Sequence, residues 1–302
     1  VPYHDEIDGT GDLVLTGNGS DHDLARDLAV SAGRRLMDLR AHEPLGGDVL
    51  RKAGDSLAHE FLVGELARRR PGDAVLSEEG KDNPVRLTAA RVWIVDPLDG
   101  TREFGDVGRT DWAVHVALWE RGALAAGAVA LPAQGVVLST ADYPTRRART
   151  TPFPSRLQEA TGAIALPAGL RILVSRSRPP AFVRRLAADI GAELVSMGSA
   201  GAKAAAVIRG EYDAYIHAGG QYEWDSAAPV AVALAAGLHA SRIDGSALRY
   251  NEADVSVPDI LISPAWLAPG LLSAIANATA AAPSSALAQH RPSMPSDPEL
   301  QP

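Results

Sequence analysis

The spacing of apolar residues changes character twice along this chain, and those changes constrain its fold more than any other feature. The first stretch has a helical period. Ser20 opens a helix, with Asp23 at capping-box spacing in place of the preferred Glu or Gln. Leu24, Leu28, Ala32, Leu36 and Leu39 then fall on one face. Gly46 and Gly47 mark a loop, and a second helix is predicted over 56–70, stopped by Pro71-Gly72. From there the runs become short and β-compatible: 74–77, 91–95, 112–119, 123–131 and 136–140, with Glu120-Arg121-Gly122 as a hairpin connection. Two helices followed by a run of strands predict an α+β layer with an antiparallel sheet.

Beyond residue 170 the pattern changes again, to alternation. Strands are expected at 172–175, 193–197, 213–217 and 259–263, and helices at 180–190, 199–209, 225–236 and 266–278. That rhythm predicts an α/β unit with a largely parallel sheet. The Pro/Thr/Arg-rich connection at 141–170 is the expected boundary, giving an α+β domain over 20–150 and an α/β domain over 151–280. Residues 1–19 read as a loosely held arm, and 281–302 as a disordered Pro/Ser/Ala tail.

Composition removes several chemistries. The 302 residues include no cysteine, which excludes disulfides, thiolate nucleophiles, zinc–thiolate sites and iron–sulfur clusters. A net charge of −8 argues against binding a nucleic-acid polymer. The longest apolar stretch, 122–132, is mostly alanine and too short to span a bilayer. The first twenty residues show no charged-then-apolar signal segment. A soluble, cytoplasmic protein without membrane contact is expected.

The chemistry concentrates at Arg91-Val-Trp-Ile-Val-Asp96-Pro97-Leu98-Asp99-Gly100-Thr101. An apolar strand delivers two aspartates three residues apart, with proline and glycine shaping the turn and the Leu98 carbonyl between them. Hard cations take oxygen ligands, so this turn suits a Mg²⁺ pair sharing a bridging aspartate; alone, it reads first as a capped strand end. Glu78-Glu79 lies at another predicted strand end, where a solvated loop is the plain alternative. Asp225, in Trp224-Asp-Ser-Ala-Ala-Pro229, lies at a helix start and serves alternatively as an N-cap.

Taken in order, Asp55, Glu78-Glu79, Asp96-Pro-Leu-Asp-Gly-Thr101 and Trp224-Asp-Ser-Ala-Ala228 resemble the inositol monophosphatase superfamily of Mg²⁺-dependent, lithium-sensitive phosphatases, over about residues 20–280. Thr101-Arg-Glu-Phe104, Val174-Ser-Arg-Ser177, Met197-Gly-Ser199 through Lys203, and Glu223-Trp-Asp225 are most similar to its 3′-phosphoadenosine-5′-phosphate phosphatase branch. The chain departs from the branch at Leu57-Ala-His-Glu60 and at His217, near the place of an expected arginine.

The resemblance implies a layered α-β-α-β-α sandwich, two or three Mg²⁺ ions, a small phosphorylated substrate and a homodimer. By the same resemblance, Glu78, Asp96 and the Leu98 carbonyl hold one metal, and Asp96, Asp99 and Asp225 another. Asp55 and Thr101 orient and deprotonate the attacking water. The Gly100 and Thr101 amides are candidates for a phosphate oxygen. Ser199, Lys203 and His217 are candidates for the nucleotide's other phosphate and ribose. Glu79 either supports the site or binds a third, weaker metal, and Arg102 is a phosphate contact or a surface residue.

The activity so implied is removal of the 3′-phosphate from adenosine 3′,5′-bisphosphate. Inositol monophosphate or fructose-1,6-bisphosphate is the alternative substrate, and a catalytically idle scaffold is the reading from another class. Other features take plain readings. Gly198–Lys203 lacks the P-loop's following Ser or Thr, and the acidic run 5–12 lacks EF-hand spacing. Arg68–Arg70 and Arg146-Arg147 read as solvated patches, His59-Glu60 as helix surface, and Trp93, Trp112 and Trp119 as core.

Overall fold

The computed structural model describes residues 19–42, 46–143 and 166–280. Most of the arm, the acidic run 5–12, Arg146-Arg147, most of the 141–170 connection and the tail lie outside the described residues. The two leading helices are α1 (Asp21–His42) and α2 (Gly47–Arg69). The Ser20 cap forms as expected: Ser20 Oγ donates to Asp23 Oδ2 at 2.7 Å, and the Asp23 amide returns a bond to Ser20 Oγ at 3.2 Å. Helix α2 begins earlier than the sequence predicts. Gly46 is its extended N-cap, and Asp48 stands in the first turn, where the helix's positive end favours a carboxylate.

The first sheet runs β1 (Ala74–Ser77), β2 (Arg91–Asp99), β3 (Ala113–Glu120), β4 (Ala123–Leu131) and β5 (Val136–Ser139), in that order. It is antiparallel except at one edge, where β1 pairs parallel with β2. A short helix, α3 (Thr101–Gly105), follows β2. The second half comprises β6 (Arg171–Ser175), α4 (Val183–Ile190), β7 (Glu193–Met197), α5 (Ala200–Ile208), β8 (Ala214–Tyr222), α6 (Glu223–Ala235), β9 (Leu238–Ser241), β10 (Ser256–Pro264) and α7 (Ala268–Ala280). Its sheet has the order β7-β6-β8-β10-β9. Here the expectation of a largely parallel sheet is corrected. Strand β6 pairs parallel with β7 and β8, but β10 runs against both β8 and β9. The 242–255 loop reverses the chain before β10, and β9 is a strand that local pattern does not announce.

Five layers result. Helices α1 and α2 cover one face of the first sheet, α5 and α6 lie between the sheets, and α4 and α7 cover the outer face of the second. Strand alternation builds this directly. In β2, Trp93 and Val95 join the α1–α2 core, while Val92 and Ile94 join the core shared with α5 and α6. Trp93 and Trp112 are fully buried, as expected, and the Trp93 indole N–H donates to Asp73 Oδ2 at 2.8 Å. The arginines at 68–70 are not merely a solvated patch: Arg68 and Arg69 pair with Glu65, and Arg70 ties α2 to Asp21 of α1. No helix among the described residues is long and apolar enough to cross a membrane.

The central layer is rich in alanine for a steric reason. A Cβ on Gly127 of β4 would lie 2.7 Å from the Ala231 Cβ of α6, so sheet and helix approach about as closely as backbones allow. Overfilling such a contact costs ~1–3 kcal/mol. Ala231→Leu is therefore expected to lower the unfolding free energy read from urea titration by an amount in that range, and the midpoint with it. An unchanged midpoint would show that the layer has slack.

Candidate active site

Strand β2 ends at Asp99, and its last residues form the floor of the site. Asp96, Leu98 and Asp99 are all buried. The Leu98 amide donates to Asp96 Oδ1 at 3.1 Å, which folds the turn back on its first carboxylate. Gly100 follows with φ +85°, and a Cβ there would press on Ser199 Cβ at 3.1 Å and the Asp111 carbonyl at 3.2 Å. Only glycine lets the turn pass this point. Thr101 then starts α3, and its hydroxyl lies 3.1 Å from the Leu98 carbonyl and 3.5 Å from Asp55 Oδ1 of α2. That hydroxyl has one proton, so it serves one of these acceptors at a time.

Asp225 arrives from the central layer. Helix α6 starts at Glu223, not 225, so Asp225 is its third residue, and its Oδ2 accepts the Tyr222 N–H at 2.7 Å. Single oxygens of Asp96, Asp99 and Asp225 lie within 4.8 Å of one another. Glu78, just past β1, shares a hydrogen bond with Asp96. Glu79 next to it is exposed and acts on Asp55 through its charge.

These carboxylates repel one another where water cannot screen them. Burial and the Glu78 charge push Asp96 well above the carboxylate range. Burial and Asp99 push Asp225 up to about 7. Glu78 is exposed as a residue, yet desolvation of its carboxyl end, with Asp225 beside it, pushes it up to about 8. Burial and Glu79 lift Asp55 to about 7. Such a cluster is relieved by a cation, and its all-oxygen donor set suits a hard divalent one. The residues present fit a metal of that kind.

The cleft over this floor has a volume of about 510 Å³. Its far side is formed by β6, β8 and the start of α5. Ser199 caps α5 with φ +43°, accepting the Ala202 N–H at 2.9 Å and donating to Asp99 Oδ2 at 2.5 Å. Its hydroxyl is thus used to hold a carboxylate. Lys203 is 4% exposed and donates to the carbonyls of Met197, Gly198 and Ser199 at 3.4, 2.9 and 2.5 Å. Burial lowers its pKa to about 8. The geometry makes Lys203 a clamp on the β7–α5 loop, with its donors directed at the backbone, where the sequence suggests a phosphate contact. His217 Nε2 lies 2.7 Å from the Gly219 carbonyl, and burial pushes the ring down to about 4. Neutral at pH 7, it brings no charge to an anion.

Charge for an anion comes from elsewhere. Arg102, Arg176 and Arg178 line the same cleft and are exposed. Arg176 is steered by buried Glu103, whose Oε1 accepts its Nη2 at 2.5 Å. Arg178 lays its guanidinium where a side chain on Gly220 would stand. Arg176 and Arg178 flank Ser177 in the quoted Val-Ser-Arg-Ser segment, but nothing local shows that they turn toward the carboxylates. His115 also escapes a sequence reading, because a histidine inside an apolar strand looks like core.

Comparison with known proteins places the chain in a family. Residues 29–280 match the model of the Inositol monophosphatase family. The chain is 50% identical to a 3′-phosphoadenosine 5′-phosphate phosphatase of Mycobacterium leprae, over 90% of this chain and 97% of the relative. It is 31% identical to the 3′(2′),5′-bisphosphate nucleotidase CysQ of Escherichia coli K12, over 76% of this chain and 93% of the relative. The crystal structure of CysQ from Bacteroides thetaiotaomicron superimposes with a TM-score of 0.64 at 26% identity, covering 81% of this chain and 97% of that one. By sequence and by fold alike, the chain belongs to the inositol monophosphatase family.

Proposed function

We propose that this chain is a Mg²⁺-dependent 3′(2′),5′-bisphosphate nucleotidase that converts adenosine 3′,5′-bisphosphate to AMP and phosphate. The observation that carries the reading is one cleft lined both by carboxylates and by three exposed arginines. A substrate with two phosphates can engage both sets, whereas a monophosphate engages one. The names of the relatives at 50% and 31% identity support the same substrate class.

In this mechanism Glu78, Asp96 and the Leu98 carbonyl, and Asp96, Asp99 and Asp225, would hold two Mg²⁺ ions, with Glu79 able to support a third. Bound there, the ions supply positive charge to the phosphoryl group and acidify water. The chain's own residues do the rest. Asp55, raised to about 7, takes up the proton of the attacking water through the Thr101 hydroxyl between it and the floor, and solvent water protonates the departing 3′ oxygen. The Gly100 and Thr101 amides lie at the cleft wall for a phosphate oxygen. Arg178, with Arg176 and Arg102, holds the remote phosphate, so that binding there aligns the one being cleaved.

Asp96→Asn keeps the turn's shape and removes the central charge. Because partners behind metal ligands already cost 10–100-fold, loss of a ligand itself is expected to cost at least ~100-fold in phosphate release. The metal-free variant should melt no lower than the parent. A variant of near-parental rate would refute the metal assignment.

Arg178→Ala should reduce kcat/KM about tenfold for adenosine 3′,5′-bisphosphate, the loss of ~1.4 kcal/mol, with 3′-AMP barely affected. Lys203→Ala, which unclamps the loop, should lower both. Equal losses from Arg178→Ala on the two substrates would remove the rim from substrate choice. A parent enzyme preferring inositol 1-phosphate would overturn the nucleotidase reading.

Raised carboxylate pKa values also fix a sign for stability. From about pH 4 upward the unfolded chain gives up protons that folded Glu78, Asp55 and Asp225 still keep. Metal-free stability should therefore fall as pH rises from about 4 through the folded values of about 7 and 8. Added Mg²⁺ should raise the melting temperature most at the alkaline end. Thermal melts across pH 5–8.5, with and without EDTA, check this, and a Mg²⁺ effect largest at pH 5 would contradict it.

A further inference from the structure

His115 stands on β3 directly across from Asp96 and is fully buried. An imidazole buried on an apolar strand is costly unless what it touches makes use of it. Nδ1 lies 3.0 Å from the Trp224 carbonyl and 3.9 Å from Asp96 Oδ2. Nε2 makes no hydrogen bond and packs against Asp99 Oδ2 at 3.3 Å. One ring therefore touches two carboxylates of the floor and the residue that precedes the third, Asp225.

The opposite side of the ring is shaped to fit it. A Cβ on Gly201 would overlap Nε2, so α5 can lay its first turn there only with glycine. The Gly201 amide donates at 2.7 Å to Asp99 Oδ2, the oxygen that Nε2 approaches and Ser199 Oγ holds at 2.5 Å. Two donors thus hold Oδ2, and the imidazole packs against it from a third side.

We propose that His115 is a positioning residue for the metal site, fixing the spacing of Asp96, Asp99 and the start of α6 and thereby setting how tightly a divalent cation is held. The ring lies behind the carboxylates, away from substrate. Without it, groups that repel one another spread apart, and a cation must draw them together as it binds, which weakens affinity. This rests on the reading above that the carboxylates hold a cation.

The test is calorimetric titration of the full metal-free chain with Mn²⁺ and no substrate, for the parent, Asp96→Asn, His115→Leu, His115→Asn, Gly201→Ala and the Gly201→Ala/His115→Asn double variant. His115→Leu should lose about tenfold in Mn²⁺ affinity. His115→Asn, which retains a donor near Nδ1, should lose less. Gly201→Ala should lose affinity by displacing the ring, and the double variant should match His115→Asn alone, because the shorter side chain leaves room for the new methyl. In turnover, the Mg²⁺ needed for half-maximal rate should rise while the substrate KM at saturating Mg²⁺ stays put. The proposal is overturned if His115→Leu binds within twofold of the parent, if the Gly201 and His115 losses simply add, or if only the metal-free melting temperature moves. Should His115→Leu fail to fold, His115→Asn and Gly201→Ala decide the matter. A parent that takes up no Mn²⁺, or an Asp96→Asn variant that binds as well as the parent, removes instead the metal reading on which the proposal stands.

Discussion

Several carboxylates of like charge are held within a few ångströms of one another where solvent is scarce, and much of the surrounding structure serves to keep them there. Asp96 and Asp99 come from the end of β2, Asp225 from the first turn of α6, and Glu78 from the end of β1. Their repulsion would open the cleft if the elements were free to move. Several of the groups restraining them are neutral: the Leu98, Gly201 and Tyr222 amides and the Ser199 hydroxyl. Neutral donors fix an oxygen without cancelling the charge that draws in a cation. The nearby Lys203 turns its ammonium to three carbonyls, so it stiffens the loop while its charge is felt by Asp99 and Asp225.

The layered architecture makes that arrangement possible. Helix α6 packs against β2, β3 and β4 on one side and against β8, β9 and β10 on the other. Its first turn is therefore carried to the end of β2, although Asp225 is far from Asp96 in sequence. Small side chains in the central layer bring helix and sheet together. Glu223, the residue that opens α6, accepts the Asn251 and Glu252 amides at 2.8 Å each, and Asn251 is bound in turn to buried Arg86 at 2.9 Å. Asp225 is thus anchored two residues upstream by a network reaching back toward β1.

What was legible in the sequence was what is local. The Asp-Pro-Leu-Asp-Gly-Thr turn carries its ligands within one contiguous segment, and the strands around it alternate cleanly. The Ser20 cap follows from a rule that spans three residues. The direction of β10 is set by how the 242–255 loop returns, which no period in the strand itself encodes. Lys203 and His217 carried the right residue types for a phosphate contact, but their charge and donors are decided by tertiary burial. His115 was hidden for the converse reason. Its neighbours are apolar, and its meaning appears only when β3 is set beside Asp96 and α5 is folded over it.

On the function proposed above, chemistry and substrate choice occupy different physical regimes in this cleft. The floor is buried and mutually coupled, so displacing one carboxylate disturbs the others through charge, through Asp99's shared contacts, or through the packing of α5 and α6. The rim is exposed, and Arg102, Arg176 and Arg178 stand at the ends of elements where a side chain can change without moving the backbone. On that reading a substitution on the rim alters which anion is held and leaves the backbone of the floor in place. A substitution on the floor alters every reaction the site performs. Separating the two in this way would let one scaffold keep its bond-breaking geometry while a few solvent-facing arginines set its preference for the remote part of the substrate.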